Sequence, residues 1–290
     1  RSGVYASDNR AQPAGTDVHV KGDVNVVTTE TKKDEVYGIK ASGGAEVNVD
    51  ETVRINDAFV LGGYAVQSFY DSIIKVGAIE TDNAGIWANS GTVIVEGDVE
   101  HGREGKNYQS VILQGSNSKV FIGGDLKTKA ERSVLIKMEN TTGDSELAVE
   151  GKIANESGLK MNVKVDSDGN VLDLPDIVIG EITDPDKIII VNSSGYKVSE
   201  DTRQQVLDNI KYIVNSNPDS IEGKGSFTIT KTDGGALSKD KADKYDVAKR
   251  QEQILVKIAV NEGYEVGSFS AGKNNTYVRN ADGSYTVTVA

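Results

Sequence analysis

Residues 85–99 read GIWANSGTVIVEGDV, and this stretch returns in altered form along the first two-thirds of the chain. Its first half, GIWANSG, is a short apolar alternation closed by a polar turn. Related segments are GVYASDN from Gly3, GIKASGG from Gly38, AVQSFYD from Ala65 and VILQGSN from Val111. Its second half, VIVEGDV, reads as two very short strands joined at a Gly corner. Its relatives are VHVKGDV from Val18, VNVDETV from Val47, IKVGAIE from Ile74, VFIGGDL from Val120 and LAVEGKI from Leu147, with IVIGEI from Ile177 as a seventh.

The third residue of each second half sets a register: Val20, Val49, Val76, Val95, Ile122 and Val149, at spacings of 29, 27, 19, 27 and 27 residues. A loosely periodic repeat of this length is the mark of a solenoid. Inside each repeat the apolar period is two, which is the period of a strand and not of a helix. Such a coil cannot bury its apolar side alone, but stacked coils can, and their backbones then pair with the coils above and below. The expected fold is therefore all-β, a right-handed parallel β-helix, its hand resting on the general preference for right-handed crossovers. Gly22, Gly97, Gly124 and Gly151 follow the register position by two residues, and the reading assigns them the positive φ that a sharp corner demands. A β-sandwich with chance VxV runs is the competing fold; the recurrence of a two-part motif in constant order argues against it.

The GKVxVxGDV-type and GVxAxxGG-type coils resemble the strand repeats of secreted bacterial surface proteins, including adhesins and autotransporter-like passenger regions. The resemblance spans roughly residues 1–190 and implies a surface location more than an activity. In the tail, VKIAVNEGYEV followed by DGSYTVTV resembles the small β-rich repeat modules of bacterial cell-surface proteins, which implies a spacer or stalk.

Three regions follow: a parallel β-helix over 1–198, a capping helix with linker over 199–222, and a small β-rich, sandwich-like module over 223–290. The helix is predicted from Thr202 to about Val214. Asp201 is read as its N-cap, with Gln204 as capping-box partner, and Val206, Leu207, Ile210, Ile213 and Val214 as its apolar stripe. It either covers the last coil or packs between domains. In the module, strands are predicted around the Asn261–Gly263 turn, and Asn280 to Gly283 (NADG) is read as a hairpin turn. Because Gly3 to Asn9 is already a coil motif and the chain closes on TVTVA, continuation of the polypeptide at both ends is expected, with signal and anchor elsewhere.

The chain has 290 residues, a net charge of −12, 31 Gly and no Cys. Without Cys there is neither a disulfide nor a thiolate metal site. An acidic chain is a poor partner for nucleic acid, whose phosphates demand concentrated Lys and Arg, and for an anionic membrane surface. No apolar run reaches the length that spans a bilayer. The resemblance to adhesins implies a host or matrix protein as partner, and the aromatic candidates below suit a glycan. The insertions TTETKKDE after Val27, INDAFVLGG from Ile55 and EHGREGKNYQ from Glu100 are where a solenoid carries contacts, or else plain solvated turns.

Candidate chemistry is sparse. Trp87 is expected to face outward, because Ile86 and Ala88 face in, with Tyr5, Lys40 and Gln67 in the same column. A ligand-binding patch of Trp87, Tyr5, Tyr70 and Tyr108 would suit stacking on a sugar ring, and Tyr64 and Phe69 are further candidates. The other reading is an isolated aromatic, or one covered by an insertion or the cap. Asp166, Asp168 and Asn170 in VDSDGNV resemble the first half of a calcium loop. Val171 and Ile177 stand where an EF-hand has its Gly and Glu, so a β-turn is the alternative. No other cofactor is implied. His19 and His101 read as surface histidines. A polysaccharide lyase or hydrolase would need a cation beside carboxylates from neighbouring coils. Arg54, Arg103 and Arg132 are read as turn residues without that company, so the sequence points away from an enzyme. The expected function is an extracellular structural or adhesion segment, a rod that presents loops; the alternative is a carbohydrate-binding module.

Overall fold

The computed structural model describes residues 2–8, 15–27, 36–56, 63–102, 109–129, 133–142, 144–215 and 222–290. It divides into two compact units, Arg1–Val206 and Leu207–Ala290.

The first unit is a parallel β-solenoid of about six turns. One sheet is built from Ser2–Ser7, Tyr37–Ser42, Tyr64–Phe69, Ala84–Asn89, Val111–Gln114, Val134–Glu139, Leu159–Val163 and Ile188–Asn192, paired in that order. These are the first halves of the motif. The second sheet takes the second halves, split at the corner into two segments in some coils, as in Thr92–Val95 and Val99–His101, and continuous through it in others, as in Glu46–Asn56 and Ile73–Thr81. The register is the one read from the sequence: Val20 pairs with Val49, Val49 with Val76, Val76 with Val95, Val95 with Ile122, and Ile122 with Val149. IVIGEI is the seventh member, since Val149 pairs with Ile179.

Alternation fixes the core. Ile39, Val66, Ile86, Val111 and Ile136 from the first sheet, and Val47, Ile74, Val93, Val120 and Leu147 from the second, are fully buried. Each side chain stacks on its counterpart one coil away, so a coil buries apolar area only when its neighbours are present. The turns between the sheets carry a polar ladder inside this core. Ser68 and Ser72 hydroxyls lie 2.8 Å apart, Ser90 N–H donates to Ser118 Oγ at 2.9 Å, and Ser118 N–H donates to Ser145 Oγ at 3.2 Å. The small hydroxyls satisfy turn amides that stacked neighbours would otherwise bury unpaired.

The corner glycines are needed for a different reason from the one expected. None of Gly22, Gly97, Gly124 and Gly151 has positive φ. What constrains Gly124 and Gly151 is the coil beneath. A Cβ on Gly124 would lie 2.3 Å from Asp98 Oδ1 and 2.7 Å from the Gly97 carbonyl carbon, and one on Gly151 would lie 2.4 Å from Asp125 Oδ1. At Gly22 nothing approaches within 4 Å.

The helix is shorter than predicted, Glu200–Asn209, and its cap is Ser199, not Asp201. Ser199 Oγ accepts Thr202 N–H at 3.1 Å and its carbonyl accepts Arg203 N–H at 2.9 Å. Thr202 Oγ donates to the Gly169 carbonyl at 2.6 Å and Val206 is fully buried, which ties this end of the helix to the first unit. Ile210–Ile213, expected as its last turn, is a strand that pairs antiparallel with Asp246–Lys249. The segment Ile-Lys-Tyr-Ile is β-branched and aromatic, and a waiting strand partner outweighs the helical spacing of its isoleucines. No helix of the described residues is long and apolar enough to cross a membrane.

The second unit has a four-stranded antiparallel sheet, with Gln253–Val260 paired to Gly225–Lys231 on one side and to Tyr285–Thr288 on the other, and Thr276–Arg279 outermost. The NADG turn is present, closed by Gly283 N–H to the Asn280 carbonyl at 3.0 Å with Gly283 at φ 84°. The strand expected after Asn261–Gly263 is absent. That stretch instead brings Phe269 face to face with Tyr285, ring centroids 4.0 Å apart.

Candidate functional site

Strand pairing places Tyr5, Lys40, Gln67, Trp87, Ile112, Lys137, Asn162 and Val191 in one outward column of the first sheet. Ile86 and Ala88 are fully buried while Trp87 is half-buried, so the indole lies on the outer face as the alternation requires. Two rings flank it from the preceding strand. Tyr64 is 5.2 Å away at 57° and Phe69 is 5.3 Å away, edge-on at 65°. The indole N–H donates to Gln114 Oε1 on the following strand at 3.0 Å, and Tyr64 O–H donates to Gln109 Oε1 at 3.0 Å. The ring is thereby fixed across three coils, with edge-to-face contacts that favour this arrangement over a loose one.

On the other side of Gln67, the Lys40 ammonium lies 5.1 Å from the Tyr37 ring centre and 5.4 Å from that of Phe69. Cation–π attraction holds it there. Gln67 itself, between Lys40 and Trp87 in the column, is only 2% exposed, and its Oε1 has no hydrogen-bond partner among the described residues.

The remaining aromatics of the predicted patch are placed unequally. Tyr70 is exposed, 5.9 Å from Phe69, in a turn where Tyr70 and Asp71 both have positive φ. Tyr5 shares the column but stands three strands from Trp87, roughly 14 Å by strand spacing. Tyr108 lies outside the described residues. Phe69 and Tyr64, second-rank candidates in the sequence, are the direct neighbours of Trp87.

Asp166, Asp168 and Asn170 form a closed turn. Asp166 Oδ1 accepts Asp168 N–H at 2.9 Å and Asn170 N–H at 2.8 Å, and Oδ2 accepts the Asn170 amide at 3.2 Å. These bonds, that from the Asn170 backbone first, hold the Asp166 carboxyl below the ordinary range. Among the described residues no group of three or more His, Asp or Glu could hold a metal ion.

Two readings of charged residues need correction. Arg54 is a strand residue, and it is paired from both sides: with Asp23 of the preceding coil, and with Glu80 of the following coil at 3.3 Å. Lys129 extends the network to Glu80 at 3.4 Å and Asp82 at 3.2 Å. Charges of opposite sign alternate here because outward positions of adjacent coils are only a strand spacing apart. Arg103 and Arg132 lie outside the described residues. His101 is not a surface residue. It occupies the inward column Ile55, Thr81, His101, Thr128, is 4% exposed, and has Nε2 2.5 Å from Ser110 Oγ. The signal was legible: Val99 faces in, so a residue two further on does too. His19 is exposed as expected, with Nε2 2.6 Å from Asp50 Oδ1.

A feature the sequence reading missed is the Asp after the corner Gly. Asp23 accepts Thr52 N–H at 3.0 Å, Asp98 accepts Asp125 N–H at 2.9 Å, and Asp125 accepts Lys152 N–H at 3.0 Å. Each carboxylate thus staples its coil to the next. Asp98 also takes Lys127 Nζ at 2.8 Å. Recurrence of GD at Gly22, Gly97 and Gly124 was the available signal.

Comparison of the chain with protein-family models, with curated proteins and with solved structures gave no match in any of the three.

Proposed function

We propose that the chain is an extracellular structural and adhesive segment of a bacterial surface protein, in which the solenoid holds inserted loops in place for contact with a host or matrix partner. The observation that carries this reading is where the chain length varies. Connections from the second sheet back to the first are 28–36, 57–63, 82–83, 102–110, 129–133, 154–158 and 183–187. In the middle coils this joint takes the long insertions, 57–63 and 102–110, while the opposite joint is short, at 43–45, 70–72, 90–91 and 115–118; in the terminal coils the opposite joint is long too, at 8–16, 140–145 and 164–175. Within these middle coils length varies along one edge while the paired register beneath is kept, the pattern of a scaffold whose loops carry the contacts. The likeness of the coil motif to surface-protein repeats supports placing it outside the cell.

The test is a joint swap. Residues 57–62 and 103–108 are replaced by the two-residue connection Asp82-Asn83, which already serves this joint in the intervening coil. Adhesion of beads coated with each chain to cultured epithelial cells and to matrix proteins is then compared. The reading expects the parent to adhere and the swapped chain to keep its β-sheet circular dichroism but lose adhesion. Equal adhesion by both, or none by the parent, refutes it. A carbohydrate-binding role is the second reading, favoured by the Trp87 face.

A further inference from the structure

We infer that the outer face of the first sheet between Lys40 and Trp87 is a binding site for an acidic saccharide, a pyranose ring that bears a carboxylate. The inference does not depend on the adhesive-rod reading, because it uses only side chains of three adjacent strands.

Three observations converge. Half-buried Phe69 and Trp87 meet edge to face at 5.3 Å and leave apolar ring surface on the outer side of the sheet. Sugar C–H faces pack on such surfaces. Gln67 is 2% exposed in the column between Lys40 and Trp87, and its Oε1 accepts no hydrogen bond from the described residues. Buried polar atoms are almost always paired, and an orphan acceptor calls for a donor. A ring hydroxyl is such a donor. Lys40 is half-buried among Tyr37 and Phe69 and has no carboxylate partner among the described residues; Lys119 and Lys160, on outward strand positions elsewhere, lack one too, but only Lys40 of the three lies against aromatic faces. An ammonium beside aromatic faces, in a partly desolvated place, is suited to a ligand carboxylate. Ring face, hydroxyl and carboxylate together describe a uronic acid residue. Neutral sugars use only the first two groups. A simple polyanion uses only the third, and meets a chain of net charge −12.

Trp87 is the sole Trp of the chain and reports on its own site. The full chain is titrated with oligogalacturonate and with hyaluronan oligosaccharides, and with maltohexaose as the neutral control, while indole emission is followed. Two variants accompany it. Lys40→Met removes the charge and keeps the length. Gln67→Leu removes the orphan acceptor at similar volume. The expected result is a saturable emission change with at least one uronate oligomer and none with maltohexaose. Each variant should weaken that binding by about tenfold or more. Gln67→Leu should also melt no lower than the parent, since the buried polar atom it removes has no partner to lose. A purely structural Gln67 would give the opposite, a lower melting temperature with affinity unchanged. Absence of any saturable change with both uronates overturns the inference, as does equal binding of maltohexaose or parental affinity in Lys40→Met.

Discussion

Among the side chains, the corner glycines give the sharpest contrast, because the same motif position carries different constraints in different coils. Gly124 faces the backbone and Asp98 carboxylate of the coil below at under 3 Å from where a Cβ would stand, whereas Gly22 faces open space. Neither has positive φ, so the left-handed region does not separate them, while crowding does. Gly124→Ala is expected to lower the unfolding free energy by about 1–3 kcal/mol, the usual range for overpacking. Gly22→Ala should change it by no more than about 0.5 kcal/mol. Chemical denaturation of the two variants reads this directly, and equal losses would refute the crowding account. The outward side of Trp87 was legible, because a period of two with Ile86 and Ala88 inside leaves no alternative. Its neighbours were not. Tyr64 and Phe69 reach it across a strand pair whose register depends on an insertion of unpredictable length, and Tyr5, which shares its column, is too far away.

At the level of elements, the corner Asp staples explain why the coils keep register through a bend. Asp98 joins a backbone N–H and the Lys127 ammonium of the next coil, and those bonds, with Lys127 first, hold its carboxyl below the ordinary value of 3.8. Glu46 beside Lys75 and Glu80 beside Lys129 are likewise lowered from 4.5. A carboxylate with a depressed folded value contributes stability that is complete above its unfolded value. That stability is lost as the pH falls through the folded one. The melting temperature should therefore be level above about pH 5 and fall as the pH drops below 4. Asp98→Ala should cost about 1–3 kcal/mol at neutral pH, and show a smaller further loss on acidification, because part of the acid-sensitive contribution is already gone. Asp98→Asn, which can still accept the Asp125 N–H, should lose less at neutral pH. An acid profile of Asp98→Ala that parallels the parent would refute the staple. Local reading failed where a partner decided the outcome. Ile210–Ile213 has helical spacing but lies against Asp246–Lys249, and the stretch after Gly263 has strand composition but folds Phe269 onto Tyr285. His101 and the GD repeat were readable in principle, since both follow from the alternation and recurrence that gave the fold.

For the solenoid unit as a whole, the ladder of pairs from Tyr5 to Lys137 makes the outer face of the first sheet a ruler. The face that holds Lys40, Gln67 and Trp87 exists only if their three neighbouring strands keep register, so fold and candidate site are tested together. The chain has no Cys, and Tyr5→Cys with Lys137→Cys therefore gives two unique spin-label sites, Tyr5 being 62% exposed and Lys137 half-buried on the outward side. Five strand steps separate them, through Lys40, Gln67, Trp87 and Ile112. At about 4.8 Å per step the backbone separation is about 24 Å. Pulsed electron–electron resonance on the doubly labelled chain should give one narrow distance distribution centred near that value. A broad or multimodal distribution, or a mean displaced by two or more strand spacings, would contradict the stacked, in-register solenoid and the binding face built on it.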